Sequence, residues 1–292
     1  MHKIKLLLTI AFSIVSIRAF SQNNQPVLLK WKLKPNEVIS YKTTMEEANP
    51  AVNTFDMSGA MKAMGADSAN VSGARDMMKK FSAAMKPTSM VTRLTEKHKD
   101  IIDIELITKN DSKSPVPGVD STNMMADFFM KMANGVMLRG SIHDDGTIAS
   151  FYTKTEQKNI LTLFFELPGK AIKQGDSWPL SVNFVTADQN FKCDSSYHKN
   201  EVTAIRFENI NGDRIVTLKY DIVEFIKGDF ALPSPTGDLS KVPTTMKMTF
   251  QGLASFSVEK GRWLTYNGLL TYDSTGIMQA NSKQNYALVE EK

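Results

Sequence analysis

Glu201-Val202-Thr203-Ala204-Ile205-Arg206-Phe207 and Arg214-Ile215-Val216-Thr217-Leu218-Lys219-Tyr220-Asp221-Ile222-Val223-Glu224-Phe225 stand on either side of Asn211-Gly212. Apolar residues recur at every second position through much of both runs, the period of a strand with one buried face. Asn-Gly between such runs is hairpin chemistry, because both residues accept the positive φ that a tight two-residue turn requires. This stretch predicts two long antiparallel strands.

The same pattern extends outward. Met246 to Val258 and Trp263 to Tyr272 flank a turn at Glu259-Lys260-Gly261. Gly140 to Phe151 reads as a hairpin with His143-Asp144-Asp145-Gly146 at its tip. Ile101-Ile102-Asp103-Ile104-Glu105-Leu106 is a half-buried strand, and the runs Val27–Leu33 and Val38–Tyr41 flank Pro35-Asn36. The prediction is a mainly β (α+β) chain with a curved antiparallel sheet of ten or more strands.

Two stretches break the period. Residues 45–90 are poor in β-branched residues and rich in Ala, Gly, Ser and Met, with Met57, Met61 and Met64 at helical spacing. Residues 121–134, centred on Met124, Phe128 and Met132 and stopped by Asn134-Gly135, form the stronger helical pattern. Together they predict a Met-rich helical insertion packed on one face of the sheet. A further helix is expected from Glu156 to Phe165, before Leu167-Pro168-Gly169.

The chain also reads as two related β-rich halves, 22–155 and 156–292, forming one compact unit. Lys34-Pro35-Asn36-Glu37 before Val38 has a counterpart in Lys173-Gln174-Gly175-Asp176 before Ser177-Trp178. Each half later reaches a hairpin that begins near a glycine, Gly140 in the first and Gly252 in the second.

At the N-terminus, His2-Lys3-Ile4-Lys5 precedes an apolar run from Leu6 to about Ile17 and then Arg18-Ala19-Phe20-Ser21-Gln22. Small residues at Ala19 and Ser21 predict a signal peptide over residues 1–21, cleaved before Gln22. The run is shorter than a bilayer of about 30 Å demands, so no integral membrane protein is expected. With no cysteine near the cleavage point, a lipoprotein anchor is not expected either. Residues 1–21 hold Lys3, Lys5 and Arg18 and no acid, so 32 of the 35 cations remain against 31 acids. Such a balance gives no electrostatic footprint for nucleic acid. Cys193 is the only cysteine, so no intramolecular disulfide can form, and it reads as a small packed residue.

Three phrases carry a resemblance: a leader ending Phe20-Ser21-Gln22, the opening Leu28 to Tyr41, and Leu167-Pro168-Gly169-Lys170 through Lys173-Gln174-Gly175-Asp176-Ser177-Trp178. They resemble a family of uncharacterised exported proteins of Bacteroidota that carry a K-x-G-D-x-W/Y phrase after a helix ending in Leu-Pro. The chain departs from that pattern at Asn36, where Gly is usual, and in its long Met-rich insert. The resemblance implies export and β-structure; the family has no assigned activity to transfer.

Little in the sequence points to chemistry. Gly175-Asp176-Ser177 opens like a GDS-type hydrolase motif, but no histidine follows His198 to activate the serine. His98, His143 and His198 lie far apart and lack zinc-ligand spacing. Of 17 methionines, 13 fall between Met45 and Met137, which suits adaptable apolar surfaces and, as a second alternative, soft Cu(I) ligation. The expectation is a non-catalytic envelope protein of the periplasm or cell exterior, without cofactor, binding an apolar small molecule or lipid. Met57, Met61, Met124, Phe128, Met132 and Trp178 are its candidate ligand-binding residues. The alternative is a structural or partner-binding envelope module, the partner being another envelope protein.

Overall fold

A computed structural model describes residues 25–49, 54–56, 58–67, 72, 89–98, 100–109, 135–153, 158–185, 190–233 and 238–291. The predicted hairpin is present and longer than its alternating runs, with β10 (Phe191–Ile210) paired antiparallel to β11 (Asp213–Pro233). Asn211 and Gly212 turn between them with φ of 53° and 85°, and the Gly212 amide donates to Asn209 Oδ1 at 3.0 Å. Positive φ at both central residues matches the turn's twist to that of the strands.

Nine more elements complete the main sheet: β2 (Val38–Glu47), β4 (Ser89–His98), β5 (Ile101–Lys109), β6 (Gly135–His143), β7 (Ile148–Thr153), β9 (Ser177–Pro179), β12 (Leu239–Ser257), β13 (Arg262–Thr275) and β14 (Gln279–Glu291). Their order is β7-β6-β5-β4-β2-β14-β13-β12-β11-β10-β9, with the short β3 (Thr54–Asp56) beside β14. Every pairing is antiparallel. Two meanders, one from each half of the chain, are thus joined where β2 meets β14, for example at Thr43 and Leu288. A second, two-stranded sheet pairs β1 (Val27–Leu28) with β8 (Ala171–Ile172).

Register assigns each residue to a face. Tyr41, Leu94, Ile104, Leu106, Leu218, Tyr220, Phe250 and Tyr266 are buried on one of them. There the predicted third helix, here α2 (Lys158–Phe165), packs Leu161, Leu163, Phe164 and Phe165 into the core. A helix leaves its last four carbonyls without intrahelical partners. Here the sheet and the N-terminal segment supply three donors. Tyr266 Oη donates to the Leu163 carbonyl at 3.0 Å, Trp263 Nε1 to Phe164 at 2.8 Å, and Trp31 Nε1 to Phe165 at 2.9 Å. Phe256, Trp31 and Trp263 meet edge to face with centroids 5.0–5.9 Å apart.

The segment after β1 runs across the ends of two hairpins. The Trp31 amide donates to the Asp144 carbonyl at 2.7 Å, and the Lys32 amide to that of Gly261 at 3.1 Å. Lys30 and Asp144 pair at 2.5 Å.

The Met-rich insertion is only partly helical where it is described. Residues 45–47 belong to β2, 54–56 form β3, and β4 begins at Ser89. Backbone pairing with β14 (Met45 opposite Tyr286, Phe55 opposite Ala280) overrides a helix-favouring composition at these ends. The helical remainder is α1 (Ser58–Ala63), whose Ala60 amide donates to the Ile277 carbonyl at 3.1 Å. Residues 1–24, including the expected leader, and the expected helix at 121–134 lie outside the described residues. Cys193 corrects its sequence reading: it is exposed on β10 beside a bulge, where the ladder skips from Cys193 to Ser195. No described helix is long and apolar enough to cross a membrane.

Gly252 and Gly268 face one another across β12 and β13, and the Phe250 ring lies over both. A methyl group on Gly268 would fall within that buried ring. Gly268→Ala is expected to destabilise the protein by about 1–3 kcal/mol, as overpacking does. Gly212→Ala adds no steric contact but strains a left-handed turn residue. Urea denaturation checks both, and an unchanged midpoint for Gly268→Ala would contradict the packing described.

Candidate functional site

The face opposite α2 carries two depressions. The larger, of about 880 Å³, crosses β2, β14, β13, β12 and β11. Its walls are two cross-strand rows of outward side chains. Lys219, Leu253, Asn267, Ala287 and Thr44 form one row, and Gln251, Leu269, Asn285 and Glu46 the other. Its floor is the main chain of Tyr220, Gly252, Gly268 and Tyr286, whose side-chain positions face α2. Three amides, two leucines and single charges of either sign therefore share one open surface. Leu253 stays 52% exposed and Leu269 36%.

The smaller depression, of about 460 Å³, lies farther along the same strands, with Phe225, Thr245, Lys247, Asp273, Thr275 and Asn281 among its lining residues. Asn281 Nδ2 donates to Asp273 Oδ1 at 2.7 Å, while Asn281 Oδ1 is buried without a partner among the described residues. The Thr245 and Thr275 hydroxyls meet at 2.6 Å. Register places Tyr197, 55% exposed, directly opposite Phe225. The sequence reading missed both depressions. Alternation announces which residues point outward, but strand length and register decide which outward residues become neighbours.

The sequence-predicted site residues do not converge among the described residues. Trp178 in β9 is 7% exposed and pairs with Val202, and its Nε1 has no partner there. Met61 is half-buried on α1, which docks near the Ile277 turn at the far end of β12 and β13. Residues Tyr220 and Gly228 of β11 mark the two levels, and eight strand residues span about 27 Å. Met57, Met124, Phe128 and Met132 lie outside the described residues. Met64 is exposed.

Other candidates resolve into structural roles. Gly175-Asp176-Ser177 is a turn: the Lys173 amide donates to Asp176 Oδ2 at 2.8 Å and Gly175 has φ 93°. Ser177 Oγ shares a hydrogen bond with Thr203 Oγ1 at 2.8 Å on the surface. The Lys34 phrase has the same geometry, its amide donating to Glu37 Oε2 at 2.7 Å with Asn36 at φ 62°. His98, His143 and His198 sit on β4, β6 and β10, and the described residues hold no cluster of three or more His, Cys, Asp or Glu suited to a metal. Glu224, buried in the sheet, accepts the Phe184 and Val185 amides at 2.7 and 2.8 Å and Asn200 Nδ2 at 2.9 Å. That carboxylate pins the chain after β9 to the core.

Titration is concentrated in the tyrosines under α2. Burial pushes Tyr286 up to about 12, and Tyr41, Tyr220 and Tyr266 are also raised by burial. Burial likewise raises Glu166, helped by the negative charge of Asp145.

No protein-family model matches the chain, and no curated protein is significantly similar to it.

The raised tyrosines give the folded protein a tighter hold on its phenolic protons than the unfolded chain has. Their contribution is complete below pH 10 and is lost as pH rises through the folded values. Stability is therefore expected to fall steeply from about pH 10 to 12, the window set by the usual tyrosine value and that of Tyr286. Phenolate absorbance should rise for these side chains only as the fold opens. A smooth titration of all seven tyrosines with the fold intact would refute the packing assigned to them.

Proposed function

We propose that the protein is an exported, non-catalytic binding protein of the bacterial envelope whose ligand engages the open face of the sheet. The carrying observation is the division of labour between the two faces. Under α2, the Trp31–Phe165–Trp263–Tyr266 cluster is closely packed and its polar atoms are spent on helix carbonyls. On the opposite face, an 880 Å³ depression presents three amides and two exposed leucines side by side. The sequence reading favours an apolar ligand between sheet and helix; packing beneath α2 favours its alternative, a module that meets a partner molecule at a surface.

An apolar ligand remains a second reading for one reason. Beyond α2 the same face continues through Met45, Met246, Leu270 and Tyr272, all only partly buried. Those side chains are suited to a lipid or other greasy molecule. The Met-based Cu(I) alternative rests on Met57, Met61 and Met64, of which Met57 lies outside the described residues.

The curved, duplicated architecture belongs to this proposal as well. A five-strand meander (β2 and β4 to β7) beside a six-strand one (β9 to β14), with the matched turns at Lys34–Glu37 and Lys173–Asp176, supports an origin from two fused halves.

Residues 22–292, purified from a periplasm without detergent, distinguish the readings. Native mass spectrometry is expected to return the bare polypeptide mass, and the apolar dye N-phenyl-1-naphthylamine is expected to gain no fluorescence. Copurified mass of several hundred daltons, or saturable micromolar dye uptake, would shift the function to the apolar-ligand reading.

A further inference from the structure

Resting on the open-face reading, we propose that this surface binds a neutral polysaccharide chain laid along β12, β13 and β14. Three features of the face select that chemistry.

The first is shape. The two depressions share strands, and the same face between them carries the half-buried Thr249 opposite Thr271. From Thr245 to Leu253 is eight residues, so the combined track is about 27 Å long. A track of that length and openness fits an extended polymer rather than a small enclosed molecule.

The second is functional-group chemistry. Sugar rings offer vicinal hydroxyls at their rims, which both donate and accept, and weakly apolar C–H faces. Planar amides and carboxylates can engage neighbouring hydroxyls with two atoms at once. Gln251, Asn267 and Asn285 supply amides at one end, and Asp273 with Asn281 supplies a carboxylate–amide pair at the other. That pair is already oriented by its 2.7 Å hydrogen bond from Asn281 Nδ2 to Asp273 Oδ1. Phe225, beside the exposed Tyr197, supplies a flat apolar surface for a C–H face.

The third is charge. Lys219, Lys247 and the exposed Lys283, which register places beside Thr271, are set among Asp273 and Glu46 on the same track, three cations to two acids, so neither sign is in large excess. A nucleic acid or polyanionic glycan would need an excess of cations. A lipid would need a continuous apolar lining, which amides and threonines interrupt. A neutral polyhydroxylated chain satisfies all three constraints.

The test is calorimetric titration of residues 22–292 with neutral β- and α-linked glucan, xylan, mannan and chitin hexasaccharides, followed by hydrogen exchange on any complex. At least one hexasaccharide is expected to bind, with the corresponding trisaccharide weaker by tenfold or more. Phe225→Ala and Thr271→Lys are each expected to weaken binding at least tenfold, the second by adding a long side chain at a half-buried position beside Lys283 in the middle of the track. Protection should map to β12–β14. Circular dichroism confirms that both variants fold, and Thr271→Lys serves if Phe225→Ala does not. Absence of binding to the whole series, or binding indifferent to Thr271→Lys, overturns the proposal. If glycans fail while another ligand protects β12–β14, the open-face reading survives without its glycan; protection confined to the α2 face removes both.

Discussion

Everything in this molecule is organised around the C-terminus of one eight-residue helix. Leu163, Phe164 and Phe165 carry carbonyls that α2 cannot satisfy for itself, and they are buried. An unsatisfied buried carbonyl costs about 1–3 kcal/mol, so three would be prohibitive for a marginally stable fold. Two indoles and a phenol meet the need, from residues 31, 263 and 266. These donors fix where the N-terminal segment and β13 must lie relative to α2. Because aromatic side chains provide both the donors and the apolar bulk, one cluster serves hydrogen bonding and packing together.

From that anchor the topology follows. Trp31 can reach Phe165 only if its segment crosses the hairpin ends at Asp144 and Gly261, where its own amides are used. That crossing ties the first meander to the second at one end, while β2 against β14 joins them along the sheet. The second meander has much longer strands, and among the described residues the open-face track lies along their reach. Function is proposed there because the other face is committed to α2.

Much of the fold was legible from local pattern. The hairpins at Asn211-Gly212, Asp144-Asp145-Gly146 and Glu259-Lys260-Gly261 are where turn chemistry puts them, and α2 falls inside its predicted span. The turn at Lys173–Asp176 was readable too, since Gly175 supplies the positive φ. Met45 and Phe55 were misjudged as parts of a helical stretch because pairing with β14 is non-local and leaves no trace in composition. Cys193 was misjudged because a lone cysteine's burial depends on whether its strand lies near an edge. The candidate site was almost wholly hidden: Asp273 and Asn281 are eight residues apart and become partners through one hairpin, and Phe225 joins them only through register.

What the sequence by itself determined is the alternation of faces and the position of turns, because period two and positive φ are properties of neighbouring residues. It also determined the absence of an internal disulfide, which needs only counting. Tertiary structure alone decided strand order, the meeting of β2 with β14, the capping of α2 by Trp31, Trp263 and Tyr266, and the grouping of amides on the open face. These depend on contacts between residues far apart in the chain, such as Thr44 and Ala287, 243 positions apart. The energy of such contacts belongs to the assembled sheet, not to any segment of the chain.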